Sequence, residues 1–175
     1  MYRTGLVAIS ALAITALLAG NLSVQAQARV EGKAPAQPNA VGDPLKVIYR
    51  ISGIADSGSA AGAGQATTIM CTNLSTVTET LSIVVRNFNG VVVVPNTNNP
   101  VSPNRTLTLS THFTNMFFDD VVLSPGIVIN QGSAIIRSTT TNMICSAMIV
   151  DAASAAGQGI GLHMVRVNPL AGSQE

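Results

Sequence analysis

Tryptophan is absent from this 175-residue chain, tyrosine occurs twice, and aromatic residues make up 3% of the whole. An outer-membrane β-barrel is thereby excluded, because its strands need aromatic girdles at both membrane interfaces. Little is left, too, for recognition of sugars or bases by stacked rings; Tyr49 and Phe88 are the available material. Charge is scarce at 10% of residues, and nine basic against eight acidic side chains give no footprint for nucleic acid or an anionic membrane. Polar surface must then come from Ser, Thr, Asn and Gln, which suit strands and turns better than long helices. There is no C-x-x-C pair, and two distant cysteines with two distant histidines lack the local spacing of a zinc motif. No G-x-S-x-G elbow singles out a serine. The stretch Gly58 to Gly64 lacks the third glycine and the Lys-Ser/Thr of a phosphate loop, so it reads as a surface loop. No cofactor is implied.

What is present begins with an export signal. Arg3 precedes an apolar run from Leu6 to Leu18, and Val24-Gln25-Ala26 and Ala26-Gln27-Ala28 follow at cleavage spacing. The run is short for a membrane span, and no cysteine follows it to carry a lipid. The expectation is a signal peptide over 1–28, cleaved after Ala26 or Ala28, and a periplasmic or extracellular protein. Losing Arg3 takes away one of nine basic residues and leaves eight against eight. Residues 29–44 mix Pro, Gly, Ala and charge without periodicity and read as a flexible leader. In an oxidising compartment Cys71 and Cys145 form one disulfide, worth roughly 4 to 4.5 kcal/mol by loop entropy.

From Leu45 onward short β-prone runs alternate with turn residues. The runs are Leu45 to Ile51, Ala66 to Thr72, Thr78 to Asn87, Val91 to Val94, Arg105 to Phe113, Phe117 to Leu123, Ser133 to Ser138, Asn142 to Val150 and Ile160 to Val167. Leu81, Ile83 and Val85 fall on one face of the third run, opposite Thr80, Ser82 and Arg86. Asn89-Gly90 predicts a hairpin with positive φ at both residues, and four valines follow it. Ser52 to Gln65 and Pro95 to Asn104 read as loops, Ser124-Pro125-Gly126 and Asn130-Gln131-Gly132 as turns. With no helical stripe, about seven to nine strands predict an all-β antiparallel sandwich over 45–168, followed by a polar tail at 169–175.

The run Thr67 to Ser75, the alternation Leu81 to Val85, Asn89-Gly90, Gly132 to Ser138 and Cys145 to Asp151 together resemble immunoglobulin-like modules of exported bacterial proteins. The resemblance implies a single immunoglobulin-like β-sandwich and export, and no particular activity. The core Trp and tyrosine corner of immunoglobulin domains are missing, so the disulfide need not span the two sheets.

Candidate chemistry is sparse. His112, on the strand face of Thr108 and Ser110, and His163 both point outward by alternation. Asp56, Asp119, Asp120 and Asp151 fall in loops at one end of a sandwich if Phe117 to Leu123 belongs to a long connection, and would supply part of a calcium site there. Asn73-Leu74-Ser75 and Asn104-Arg105-Thr106 match the glycosylation sequon. The function expected is a non-catalytic interaction or structural module, with a protein partner or a second copy meeting its valine-rich strands. The alternatives are a small exported hydrolase, using His112 or His163 with Asp119, Asp120 or Asp151, and a calcium- or ligand-binding domain.

Overall fold

Short strands bury their apolar faces only by pairing side by side and stacking in layers. The computed structural model describes residues 44–58, 62–117 and 119–167. The expected signal peptide, the leader apart from Pro44, and the tail lie outside the described residues. Among the described residues there are eleven strands and no helix. In order they are β1 (Lys46–Asp56), β2 (Gln65–Asn73), β3 (Glu79–Arg86), β4 (Val92–Val94), β5 (Asn99–Val101) and β6 (Thr106–Ser110). Then come β7 (Val121–Val122), β8 (Ile129–Ser138), β9 (Met143–Asp151), β10 (Gly159–Gly161) and β11 (Met164–Arg166).

The strands form two sheets packed together, as in a sandwich. One runs β11-β1-β8-β3-β4, with β5 also against β3, and the other β10-β9-β2-β6-β7. Every pairing is antiparallel except β6 with β7. Leu81, Ile83 and Val85 point into the shared core as their alternation predicts, and meet Ile69, Cys71 and Leu109 of the second sheet there. The outer face of β3 is covered too, for Ser82 and Val84 are buried.

Cys71 and Cys145 are disulfide-bonded. They stand directly opposite each other in β2 and β9, with Cα atoms 4.2 Å apart. That is about the spacing of a non-hydrogen-bonded antiparallel pair. The bond spans a sequence separation of 74 residues yet staples neighbours within one sheet.

Several boundaries differ from expectation, each for a local reason. β1 continues through Ser52 to Asp56, where a loop was expected. Gly53 takes φ 84°, and register shifts flank Ile54, so the strand bulges where its composition resembles a loop. Asn130-Gln131-Gly132 is part of β8, because Gly132 sits where only a residue without a Cβ fits between two neighbouring strands. At the Asn89-Gly90 turn only Gly90 has positive φ, 77°. Gly90 N donates to Asn87 O and Asn87 N to Val91 O, a three-residue loop closed by a left-handed glycine. Of the four valines only Val94 is buried, and β4 is an edge strand. Phe117 to Leu123 contributes just the two residues of β7 to a long connection. Ile160 to Val167 splits into β10 and β11, which belong to different sheets.

Candidate functional site

The C-terminal end of β1 and the segment after β6 bring the one buried histidine–carboxylate pair of the described residues together. Beyond Ser110 the chain leaves its strand. Thr111 N donates to Thr67 O, and the Thr111 hydroxyl accepts from Thr67 N. This turns His112 inward, correcting the outward orientation that strict alternation predicts. His112 Nδ1 lies 3.1 Å from Asp56 Oδ2, with Asp56 2% exposed. Its Nε2 lies 2.9 Å from the Ala63 carbonyl oxygen, which can only accept, so Nε2 carries the hydrogen. Asp56 Oδ1 accepts from Gly58 N at 2.6 Å. Both ring nitrogens and both carboxylate oxygens are therefore engaged. The arrangement is a clasp joining β1, the chain before β2 and the chain after β6, and it leaves neither ring nitrogen to act on a substrate. The Thr67 hydroxyl reinforces it by bonding both Ala55 N and Ala55 O at 2.8 Å.

The other expected residues do not join this pair. Asp120 Oδ2 accepts from the Thr114 hydroxyl at 3.2 Å, and Asp151 Oδ1 accepts from Ala153 N at 3.0 Å. Asp119 is exposed, and so is His163, in the link between β10 and β11. The structure thus pairs His112 with Asp56, not with Asp119, Asp120 or Asp151. Among the described residues no three His, Cys, Asp or Glu side chains gather closely enough to hold a metal ion. Asn73 is buried, with its amide donating to Val77 O and Val101 O and its oxygen accepting from Ser75 N. Its sequon is committed to the fold, while Asn104 is exposed at φ 58°.

Sequence reasoning missed Glu79, a buried acid whose Oε2 accepts from the Thr139 hydroxyl at 2.5 Å. Its position at the head of an alternating strand resembles that of any solvated strand-end acid, so no local signal marks it. It also passed over a cleft of about 420 Å³ beside the β3–β4 turn, lined by Asn87, Phe88, Asn89, Val128, Ile129, Asn130 and Gln131. Phe88 is 77% exposed there, and Val128 is half exposed. The turn motif was legible, but nothing in the sequence brings residues 87–89 to residues 128–131 before the β3–β8 pairing is known.

A second exposed apolar feature is the edge of the second sheet. All three residues of β10 are exposed, Ile160 by 72%, and Ile144 on the neighbouring β9 is exposed as well. Among the described residues no helix is long and apolar enough to cross a membrane. No protein-family model, no curated protein and no solved structure matches the chain.

Proposed function

We propose that the chain is an exported, immunoglobulin-like β-sandwich that works as a non-catalytic structural or interaction module, associating through a sheet edge. The observation that carries this reading is β10: a Gly-Ile-Gly edge strand, exposed at all three residues, with no charge or proline of its own. Such an edge offers unpaired backbone groups to another strand, and natural proteins usually protect it with lysine, proline or a bulge. Engagement of both His112 nitrogens supports a non-catalytic role. The disulfide is compatible with an oxidising compartment and so supports export. The immunoglobulin-like part draws on two pairings, β2 beside β6 and β3 beside β8, which lie in separate sheets like the B–E and C–F pairs of that fold.

Native mass spectrometry of the exported protein without reductant tests the reading. Expected are the mass deficit of one disulfide, a signal-cleaved chain, and discrete oligomers or polymers that Ile160→Lys returns to monomers at unchanged melting temperature. A wild-type protein that stays strictly monomeric at high concentration would overturn association through this edge.

A further inference from the structure

Phe88 stands 77% exposed on the surface. It occupies the first central position of the β3–β4 turn, and the turn is tied down from several sides. Asn87 Oδ1 accepts from both Asn89 N and Val91 N at 3.0 Å, and Arg86 Nη1 donates to Gly90 O at 2.8 Å. The backbone that carries the ring is therefore fixed before any ligand arrives, which removes an ordering cost from binding.

The opposite wall is equally fixed. Ile129 is buried in β8 and paired with Asp56 of β1. Val128 packs against the Gly58 turn, where a Cβ added to Gly58 would come within 2.9 Å of Val128 Cγ2. That turn is held by Asp56, and Asp56 by His112. The clasp thus braces one wall of the cleft.

The lining chemistry narrows the ligand. One phenyl ring and two aliphatic side chains stand beside four carboxamides, and no lining residue carries a charge. The side chains of Asn89, Asn130 and Gln131 hydrogen-bond to no other described residue. A purely apolar ligand would strand those amides, and an anion would find no cation among the lining residues. Each carboxamide offers both a donor and an acceptor, the complement of a hydroxyl, which also does both. A ring with an apolar C–H face and a rim of hydroxyls satisfies the whole lining, and the cleft's volume falls in the range of roughly 300–1,000 Å³ typical of small-molecule sites.

We propose that this cleft binds one or two pyranose units of a neutral polysaccharide, with Phe88 stacking on the sugar face and Asn89, Asn130 and Gln131 holding its hydroxyls. The site lies on the first sheet and shares no residue with the β10 edge, so it and the association reading can each fail alone.

The test is an NMR titration of the ¹⁵N-labelled, disulfide-bonded protein with tetrasaccharides of β-1,4-glucose, α-1,4-glucose and β-1,4-N-acetylglucosamine. Polygalacturonate tetrasaccharide is the anionic comparison. Saturable shifts confined to residues 87–91 and 128–131 are expected with at least one neutral sugar. Phe88→Ala should weaken binding at least about 10-fold and Phe88→Tyr should retain it, because stacking needs the ring. Asn130→Ala should weaken binding several-fold, and all three variants should melt with the wild type because the altered groups are exposed. The inference is overturned if no neutral sugar shifts these residues at about 10 mM, or if Phe88→Ala binds as well as wild type. It is overturned equally if the anionic sugar binds best, or if Phe88 proves to mediate self-association.

Discussion

Gly132 sits in the central strand β8, with neighbours on both sides. A Cβ there would lie 2.8 Å from Arg86 O, 2.7 Å from Ile129 Cγ2 and 3.2 Å from Ile54 O. Two of those atoms are backbone, so β1 or β3 would have to move. Gly132→Ala should therefore cost roughly 2–3 kcal/mol in urea unfolding, whereas Gly161→Ala, with nothing within 4 Å of the added carbon, should be close to neutral. The His112–Asp56 clasp obeys a different rule, since its energy appears mainly when one partner is removed. Asp56→Ala leaves His112 Nδ1 buried without its partner, and His112→Ala leaves a buried carboxylate held by Gly58 N alone. Each should destabilise by about 3 kcal/mol, with the double variant costing clearly less than the sum. Additive losses in that cycle would show that the two side chains do not act together.

At the scale of elements, the disulfide joins β2, in the interior of the second sheet, to β9 near its edge. Since Cys71 and Cys145 are already opposed by the strand register, removing the bond leaves the ladder intact and frees the unfolded chain. The Cys71→Ala/Cys145→Ala double variant should retain the far-ultraviolet circular dichroism of the wild type and lose roughly 4 kcal/mol of stability. Reductant should reproduce that loss in the wild type and have no effect on the variant. The strands legible in the sequence were β-prone runs bounded by turn residues, among them β2, β3 and β9, with the clearest alternation in β3. The illegible ones break that pattern for physical reasons. The second half of β1 contains Gly53 and bulges, β8 carries Asn-Gln-Gly directly after its first residue, and β5 contains Pro100, tolerated on an edge. The clasp had the same difficulty: Asp56 and His112 were each visible as candidates, but their meeting depends on β1 extending to Asp56 and on the turn after Ser110. Both departures are tertiary.

At the scale of the molecule, the last two strands lace the sheets together along one side. β10 pairs with β9 in the second sheet; Leu162 N then donates to Ala147 O, and the chain crosses to lay β11 against Tyr49 to Ile51 of β1. Arg166 fastens the crossing. Its Nη2 donates to Thr141 O at 2.7 Å, and its guanidinium lies 5.8 Å from the centre of the Tyr49 ring. Val167 N donates to Ile48 O at 2.9 Å. β11 is short, but among the described strands it is the one that covers the middle of the eleven-residue β1 on that side. Ending the chain after Gly161 would bare the backbone groups of Ile48 to Ile51 along a strand whose side chains already belong to the core. An edge of that length and apolar character recruits other strands. The truncated protein should unfold at lower urea than the wild type and show light scattering that grows with concentration. Val165→Lys, a change on the exposed face of β11 that keeps its backbone pairing, should do neither. A truncated protein that remained monomeric at wild-type stability would mean that β1 needs no cover, and that the crossing strand serves something other than protection of the edge.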